Sequence, residues 1–260
     1  MRISWPIHLK NSMRVRKFFL ILILACIGSP LFAQVIDIPH QQDVATRTLF
    51  VAAPNPKALV LLFPGGGGMM RMQDDGSTKN RHTFIRSVDQ WSQYHIDAVL
   101  VDTPYDLGDY RRGDLRSRSD HLERVAEVAT YYKDKYHLPI WIFGHSMGTS
   151  TATNFANSLD KNSHLISGII IAGTVRTATV DDSVSMPILA LHHVQDSCVG
   201  TPPDASARII KGRPPKFISQ LEMIEGGASQ GDECQSFAYH GFNQTETELI
   251  KRAAKFILGN

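Results

Sequence analysis

Short apolar runs recur along the chain, with segments of helical periodicity between them. The runs are continuous rather than alternating, which is typical of strands buried on both faces of a sheet. They lie at residues 58–63 (ALVLLF), 97–102 (DAVLVD), 139–143 (PIWIF), 165–173 (LISGIIIAG), 187–193 (PILALHH) and 216–226 (KFISQLEMIEG). We therefore predict a strand at each of these six places.

Two of the intervening segments have one apolar side at helical spacing. In SDHLERVAEVATYYKDKY (119–136) this side consists of Leu122, Val125, Ala129, Tyr132 and Tyr136. In TETELIKRAAKFILG (245–259) it consists of Leu249, Ala253 and Phe256. Both segments are predicted helices, and residues 83–94 form a weaker helical pattern. The alternation of strands and helices predicts an α/β fold with a mainly parallel sheet.

Local signals place the ends of these two helices. Ser119 is expected to cap the first one. Thr245 and Glu248 have the spacing of a capping box at the start of the second, and Gly259 is expected to end it.

The N-terminal segment has the pattern of a secretory signal. Basic residues precede the apolar stretch FFLILILACI, which is followed by small residues up to Ala33. This pattern predicts a signal peptide over residues 1–33 and a single domain over residues 34–260. Two alternatives remain open: a start of translation at Met13, and a lipoprotein anchored at Cys26.

Cleavage after Ala33 would change the charge of the chain. The full sequence has a net charge of +2, but residues 1–33 contain five basic residues and no acid. The remaining 227 residues carry 22 basic and 25 acidic side chains, a net charge of −3. This balance gives no reason to expect a nucleic-acid partner. The apolar stretch of the signal is itself shorter than the roughly 20 residues that a membrane span needs, and we expect no span in the mature chain.

The strongest chemical signal is Gly144-His145-Ser146-Met147-Gly148, placed between a predicted buried strand and a predicted helix. A Gly-x-Ser-x-Gly motif in this context forms a tight turn that exposes the serine oxygen above the sheet. The competing interpretation is a glycine turn in which Ser146 only caps the helix.

With this motif, with FPGGGG after an earlier strand, and with an acid and a histidine after later strands, the chain resembles the α/β-hydrolase family. The resemblance covers essentially the whole mature chain at the level of element order. It implies a mostly parallel, twisted sheet of about eight strands with helices on both faces. It also implies a catalytic triad in the chain order serine, acid, histidine, with Ser146 as the nucleophile.

The same resemblance assigns the base and the acid. His240 is the only histidine after His193, and it lies between the last predicted strand and the last helix. Asp196 follows the strand at 187–193 and is the expected acid, with Asp102 as the alternative. His145, His192 and His193 are expected to pack near the site or support it rather than join the triad.

In the family, two backbone N–H groups hold the developing oxyanion. The resemblance assigns one to Met147 and the other to the glycines that follow Pro64. Gly66 is the first choice and Gly67 the second. A phosphate-binding loop is the competing interpretation, but the Lys-Ser/Thr pair of a P-loop is missing.

The segment between the sixth and seventh strands of this fold is too short for a separate lid domain. Four arginines, Arg111, Arg112, Arg116 and Arg118, follow the strand at 97–102. One hypothesis is that they hold an anionic substrate, with Arg111 and Arg112 as the candidates. The favoured alternative is that they are solvated and pair with neighbouring aspartates.

Cleavage or lipidation at the N-terminus removes Cys26 from consideration and leaves Cys198 and Cys234. An even pair in an exported chain predicts a disulfide. This bond would tie the loop that carries Asp196 to the loop that carries His240.

Taken together, these features predict a periplasmic or secreted serine hydrolase that cleaves an ester, thioester or amide through an acyl-enzyme. Its partner would be a small-molecule or acyl substrate, and we expect no cofactor and no metal. The alternatives are a non-catalytic binding protein on the same scaffold, and a serine peptidase or acyltransferase. The sequence does not indicate the substrate or the oligomeric state.

Overall fold

The computed structural model describes residues 1, 33–108, 115–160 and 163–259. The described residues from Ala33 onward belong to one compact unit. The strands are β1 (Ala33–His40), β2 (Asp43–Val51), β3 (Ala58–Phe63), β4 (Ile96–Asp102), β5 (Ile140–His145), β6 (Gly168–Ala172), β7 (Ile188–His193) and β8 (Ser219–Ile224). The α-helices are α1 (Thr83–Ser87), α2 (Ser119–Tyr136), α3 (Gly148–Ser158), α4 (Pro203–Gly212) and α5 (Glu246–Leu258).

The eight strands form one sheet in the order β1-β2-β4-β3-β5-β6-β7-β8. β1 pairs with β2, and β2 with β4, in antiparallel fashion, while every later pairing is parallel. The predicted α/β fold with a mostly parallel sheet of about eight strands is therefore confirmed. β1 and β2 were not among the predicted strands. Only two of the eight residues of β1 and four of the nine residues of β2 are buried, so these strands lack the continuous apolar run of a central strand.

The sheet separates two hydrophobic cores. Along β3, Leu59, Leu61 and Phe63 face one core, whereas Ala58, Val60 and Leu62 face the other. Successive side chains of a strand point to opposite faces, so a strand covered on both sides must be apolar at every position. Helices α2, α3 and α4 cover the first core, and α1 and α5 cover the second.

The predicted apolar sides of α2 and α5 pack into these cores. Leu249 and Ala253 of α5 are fully buried, and Phe256 packs against the same core. The predicted cap at Ser119 and the predicted capping box of α5 were wrong. Arg118 rather than Ser119 occupies the N-cap of α2. Thr245 is the N-cap of α5, but its hydroxyl donates to the carbonyl of Phe242 instead of forming a capping box. Gly259 ends α5 in a left-handed conformation, as predicted.

Residues 83–94, where the sequence has a weaker helical pattern, form two consecutive helices of different type. The α-helix α1 ends at Ser87, and a 3-10 helix continues from Val88 to Tyr94. The fully buried side chains of Phe84 and Trp91 hold this segment against the sheet.

Candidate active site

The candidate site lies at the carboxyl ends of the central parallel strands. Ser146 directly follows β5, and the glycine segment 65–68 follows β3. Asp196 follows β7, and His240 lies in the connection between β8 and α5. Ligands of open α/β sheets bind outside this edge. The parallel topology thus brings together four segments that are distant in sequence.

Ser146 lies at a sharp turn between β5 and α3. Its φ angle is +54°, a left-handed conformation that few residues other than glycine adopt. Its N–H donates to the carbonyl of Ala172 on β6 (2.9 Å), and its carbonyl accepts from the N–H of Thr149 (2.8 Å). These bonds fix a conformation that costs about 1–3 kcal/mol and is typical of functional sites.

The flanking glycines are required by close backbone contacts. A Cβ atom at Gly144 would lie 2.1 Å from the carbonyl oxygen of Gly148, and one at Gly148 would lie 2.0 Å from that of Phe63. Any side chain at these two positions would force the strand and the helix apart. The turn therefore has the geometry of a nucleophile elbow, and the Ser146 side chain is not a helix cap, because Met147 occupies the N-cap of α3.

His240 contacts Asp196 in the protein interior. Nδ1 of His240 lies 2.9 Å from Oδ2 of Asp196, and both side chains are at most 2% exposed. Because a carboxylate only accepts hydrogen bonds, Nδ1 carries the proton, and the neutral ring has its lone pair on Nε2. The hydroxyl of Thr201 lies 3.0 Å from the same Nδ1 and donates to Oδ2 of Asp196 (3.3 Å). The pair can hold a histidine in the tautomer that a general base needs.

Two further groups hold the Asp196 carboxylate. The N–H of Cys198 donates to Oδ1 (2.9 Å), and Nε2 of His192 lies 3.2 Å from Oδ2. Burial alone would raise the pKa of Asp196, but the hydrogen bonds from His192 and His240 outweigh burial and hold the pKa well below its ordinary value. Asp196 is therefore ionised at neutral pH although it is buried.

His192 belongs to a buried polar chain behind Asp196. Its Nδ1 lies 2.9 Å from the hydroxyl of Ser206 on α4, which in turn donates to the hydroxyl of Thr174 (2.7 Å). The side chain of His192 is fully buried. It supports the acid and does not reach the cavity, in agreement with the sequence interpretation.

Ser146 and His240 line one small cavity of about 220 Å³, together with the glycine segment 65–68. Within the described residues, no hydrogen bond joins the Ser146 hydroxyl to His240. Catalytic hydrogen bonds are often long without substrate and tighten in the complex. The cavity thus places an elbow serine and a buried histidine–carboxylate pair side by side.

The glycine segment presents backbone N–H groups to this cavity. In the described part of the chain, the N–H groups of Gly66, Gly67 and Met147 donate to no protein group, whereas that of Gly68 donates to Gly65. A Cβ atom at Gly65 would lie 2.8 Å from Cβ of Ser146, so only glycine admits the serine here.

The glycine segment is held by Arg116, which the sequence analysis placed among surface arginines. The structure corrects this, because the Arg116 side chain is fully buried. Nη2 donates to the carbonyls of Gly66 (2.6 Å) and Pro64 (3.3 Å), and Nη1 donates to the Thr151 hydroxyl (2.9 Å). The carbonyl of one residue and the N–H of the next belong to the same peptide and point in opposite directions, so Arg116 fixes the N–H groups of Gly65 and Gly67. The peptide between them, which carries the Gly66 N–H, is held through the Gly65 carbonyl, which accepts from the N–H of Gly68 (3.2 Å).

A chain of histidines lies beneath the cavity. Nε2 of His145 lies 2.8 Å from the carbonyl of His240, and Nδ1 of His145 lies 2.9 Å from Nε2 of His82. Burial, followed by repulsion from the charge of His240, lowers the pKa of His145 to about 3. Burial also lowers the pKa of His82 well below its ordinary value. Both rings are therefore neutral, and they link α1 to the segment that carries His240.

The alternative acid, Asp102, faces away from His240. Its carboxylate is buried and accepts from the N–H groups of Met70 (2.5 Å) and Met72 (2.7 Å). It therefore anchors the segment after the glycines and does not contact the histidine.

Among the arginines proposed to bind an anion, Arg111 and Arg112 lie outside the described residues. Arg118 pairs with Asp120 at 2.6 Å, as the alternative interpretation expected.

Cys198 and Cys234 form a disulfide, as predicted. Cys198 also donates its N–H to Asp196, and Cys234 lines the cavity beside Ser146 and His240. The bond therefore joins the segment of the acid to the segment of the histidine.

The described residues contain neither a candidate metal site nor a candidate membrane-spanning helix. Across residues 33–108, 115–160 and 163–259, no cluster of three or more histidine, cysteine, aspartate or glutamate side chains is arranged to hold a metal ion. No helix within these ranges is both long and apolar enough to cross a membrane.

No family model and no curated protein matches this chain by sequence. The fold is similar to several solved structures. A dienelactone hydrolase from Anabaena variabilis aligns with a TM-score of 0.64 at 13% identity, over 88% of this chain and 98% of its own. A lidless α/β serine hydrolase from Xanthomonas campestris gives 0.57 at 12% identity, over 87% and 94%. A carboxyl esterase from Bacillus coagulans gives 0.58 at 12% identity, over 88% and 98%.

At these identities the similarity establishes architecture rather than activity. The strand order, the elbow after β5 and these structural neighbours lead to one conclusion: the chain has the α/β-hydrolase fold.

Proposed function

We propose that this chain is an exported serine hydrolase that cleaves an ester through an acyl-enzyme. Ser146 attacks the carbonyl carbon, and Nε2 of His240 takes its proton and then passes it to the leaving alcohol. Asp196 keeps His240 in the required tautomer and stabilises the imidazolium as it forms. Water then repeats the sequence and releases the acid.

One observation carries the proposal: a left-handed elbow serine lines the same cavity as a histidine whose Nδ1 contacts a buried aspartate. A serine that only caps a helix needs neither the strained turn nor the pair. A histidine that is only structural does not need an ionised carboxylate on Nδ1. Finding all three groups together favours catalysis over a non-catalytic binding role.

Gly66 and Met147 are the proposed oxyanion donors. Both N–H groups have no protein acceptor among the described residues. Gly66 is favoured over Gly67 because its neighbour Gly65 touches Ser146, whereas a Cβ atom at Gly67 would meet Asp106. Donors fixed in this way stabilise charge as it develops, at no cost of reorganisation.

An open site and the structural neighbours favour an ester as the substrate. Residues 173–187 connect β6 to β7 without a helix or strand, so this connection holds no lid domain. The neighbours include an esterase and a dienelactone hydrolase. Amide cleavage and acyl transfer use the same groups and rank behind ester hydrolysis.

The disulfide supports export. Disulfides persist in oxidising compartments and are rare in the cytosol. The signal pattern at residues 1–33, which lies outside the described range apart from Met1 and Ala33, points the same way.

Stopped-flow hydrolysis of a short-chain 4-nitrophenyl ester tests the proposal. We expect release of nitrophenol with an initial burst close to one equivalent, since deacylation of activated esters is usually the slower step. Ser146→Ala should abolish the activity, whereas Ser158→Ala, at the far end of α3, should leave it unchanged. If the wild type does not turn over any ester across a panel of acyl lengths, the binding-protein alternative gains the support. If Ser146→Ala retains the activity, Ser146 is not the nucleophile and the proposed mechanism is overturned.

A further inference from the structure

A second cavity opens next to the one that holds Ser146. It has a volume of about 620 Å³ and is lined by residues of segment 69–80. Met69 and Asn80 line both cavities, so the two are adjacent. The Ser146 cavity, at about 220 Å³, is smaller than the roughly 300–1,000 Å³ of most ligand pockets. A substrate larger than a short ester must extend out of it, and the second cavity, here called the basic groove, offers room.

The ionisable side chains that line the basic groove are both cationic. They belong to Arg71 and Lys79, and no carboxylate is among the lining residues. Across the described residues, neither side chain makes a hydrogen bond or an ion pair.

The acidic side chains on and beneath this segment bind other partners than Arg71 and Lys79. Asp74 pairs with Arg47 (2.8 Å), and Asp75 accepts from the N–H of Ser77 within its own turn (2.9 Å). Asp102 is buried beneath the segment. None of these acids therefore forms an ion pair with Arg71 or Lys79, and both cationic groups remain available to a ligand.

The backbone of Arg71 is fixed in an unusual conformation. Its φ angle is +54°, and the N–H groups on either side of it, those of Met70 and Met72, both donate to the buried Asp102 carboxylate. The Met70 carbonyl also accepts from the hydroxyl of Thr78 (2.5 Å). Left-handed residues other than glycine persist only where their surroundings enforce them, and they often lie at ligand-binding positions. The segment thus carries a cation on a firmly anchored backbone at the edge of the Ser146 cavity.

We propose that the basic groove binds an anionic group of the substrate, a carboxylate in the simplest case, with Arg71 as the main contact and Lys79 as the second. A guanidinium can donate two parallel hydrogen bonds to a carboxylate, whereas an ammonium acts as a point charge. This proposal rests on the proposed function, because it assigns a substrate class to the same site.

The test compares esters that differ only in a remote carboxylate. For the acyl side, the pair is 4-nitrophenyl butyrate and the mono-4-nitrophenyl ester of succinic acid. For the alcohol side, the pair is phenyl acetate and 4-acetoxybenzoate. For at least one pair we expect kcat/KM to favour the anionic ester, and the preference to shrink as ionic strength rises.

Arg71→Asn removes the charge with a residue that tolerates a left-handed backbone. It should reduce the anionic-to-neutral ratio of kcat/KM about tenfold, with Lys79→Gln giving a smaller reduction. Arg71→Lys should retain part of the preference. Arg81→Gln is the matched control, because Arg81 is an exposed base directly after segment 69–80 and lines neither cavity.

The outcomes separate the two proposals. Normal hydrolysis of neutral esters with a ratio that Arg71→Asn leaves unchanged in both pairs would overturn the basic groove alone. An equal loss in Arg81→Gln would attribute the effect to general surface charge and would also overturn it. Hydrolysis of no ester at all would overturn the proposed function and the groove with it.

Discussion

The two sides of the candidate site are held together by different kinds of bond. On one side, Asp196 and His240 lie on two segments that a disulfide joins, and their side chains are almost completely buried. On the other side, the glycine segment is partly exposed and is held by hydrogen bonds from Arg116 to its carbonyls. We call these the acid–base side and the glycine side.

The difference follows from what each side must present. The acid–base side positions two side chains whose contact holds His240 in the tautomer that can accept a proton from Ser146, and a covalent link limits the distance between their segments. The glycine side positions backbone N–H groups, and a peptide is oriented most directly through its own carbonyl. A buried cation that binds carbonyls can therefore do for the glycine side what the disulfide does for the other.

The largest expected effect comes from changing the charge on the acid–base side. Asp196→Asn should lower kcat by about 10³–10⁴-fold, because an amide can donate to Nδ1 and favour the wrong histidine tautomer. Steady-state kinetics on a 4-nitrophenyl ester measure it. Asp204→Asn, a surface aspartate that pairs with Arg208, is the matched control. A loss below tenfold would remove Asp196 from the proposed triad.

Removing the covalent link should mainly affect stability. The disulfide spans 36 residues, and replacing both cysteines by serine should lower the free energy of unfolding by about 3–4 kcal/mol. Urea denaturation followed by circular dichroism measures this loss. We expect kcat to fall far less than in Asp196→Asn, since the buried hydrogen bonds of Asp196 remain. An unchanged urea midpoint would show that the bond does not constrain the chain as described.

On the glycine side, Arg116→Met should lower kcat about 100-fold with little change in KM, equivalent to about 3 kcal/mol of transition-state stabilisation. Without the guanidinium, the Pro64 and Gly66 carbonyls lose their donor, and the peptide between them, which carries the proposed oxyanion donor Gly66, loses its support on both sides. Arg116→Lys should recover part of the rate, which a purely structural role would not require. Equal losses in kcat and in unfolding free energy, with no recovery by lysine, would contradict the positioning role.

The smallest expected effect is a loss of folding stability at acidic pH, caused by two buried histidines, His145 and His121. Burial lowers the pKa of His145 to about 3, and burial followed by the charge of Arg116 lowers that of His121 to about 3. In the unfolded chain both rings take up a proton below about 6.5, whereas the folded protein keeps them neutral. Folding stability is therefore fully present above pH 6.5 and falls as the pH drops towards 3.

Between pH 7 and 5.5, each of these histidines should remove about 1 kcal/mol from the free energy of unfolding. Urea titrations at the two pH values measure the difference. A stability that stays constant or rises on acidification would mean that these rings are protonated in the folded protein.

The central strands and the positions of the site residues could be predicted from the sequence, because both depend on local patterns. Continuous apolar runs mark strands covered on both faces, and the Ser146 motif marks the turn after one of them. The chain order of the family then singled out Asp196 and His240, which the fold brings into contact. The antiparallel strands β1 and β2 were not predicted, because many of their residues are exposed and they contain no continuous apolar run.

The supporting groups were harder to predict because their roles depend on tertiary contacts. Arg116 stands in a segment rich in arginine and aspartate that reads as a solvated surface, yet its guanidinium lies inside the protein against the glycine carbonyls. Asp102 ends a strand, where an acid can be catalytic. Only the structure shows its carboxylate bound to the N–H groups of Met70 and Met72.

The most direct test of the central claim is to label the protein with a fluorophosphonate and to locate the adduct by peptide mass spectrometry. The wild type should carry one adduct, on Ser146. His240→Ala should slow labelling by orders of magnitude, whereas His193→Ala, which removes the buried histidine that follows His192 on β7, should change the rate far less. No adduct, an adduct on another residue, or equal labelling rates in the wild type and His240→Ala would contradict a serine nucleophile activated by His240.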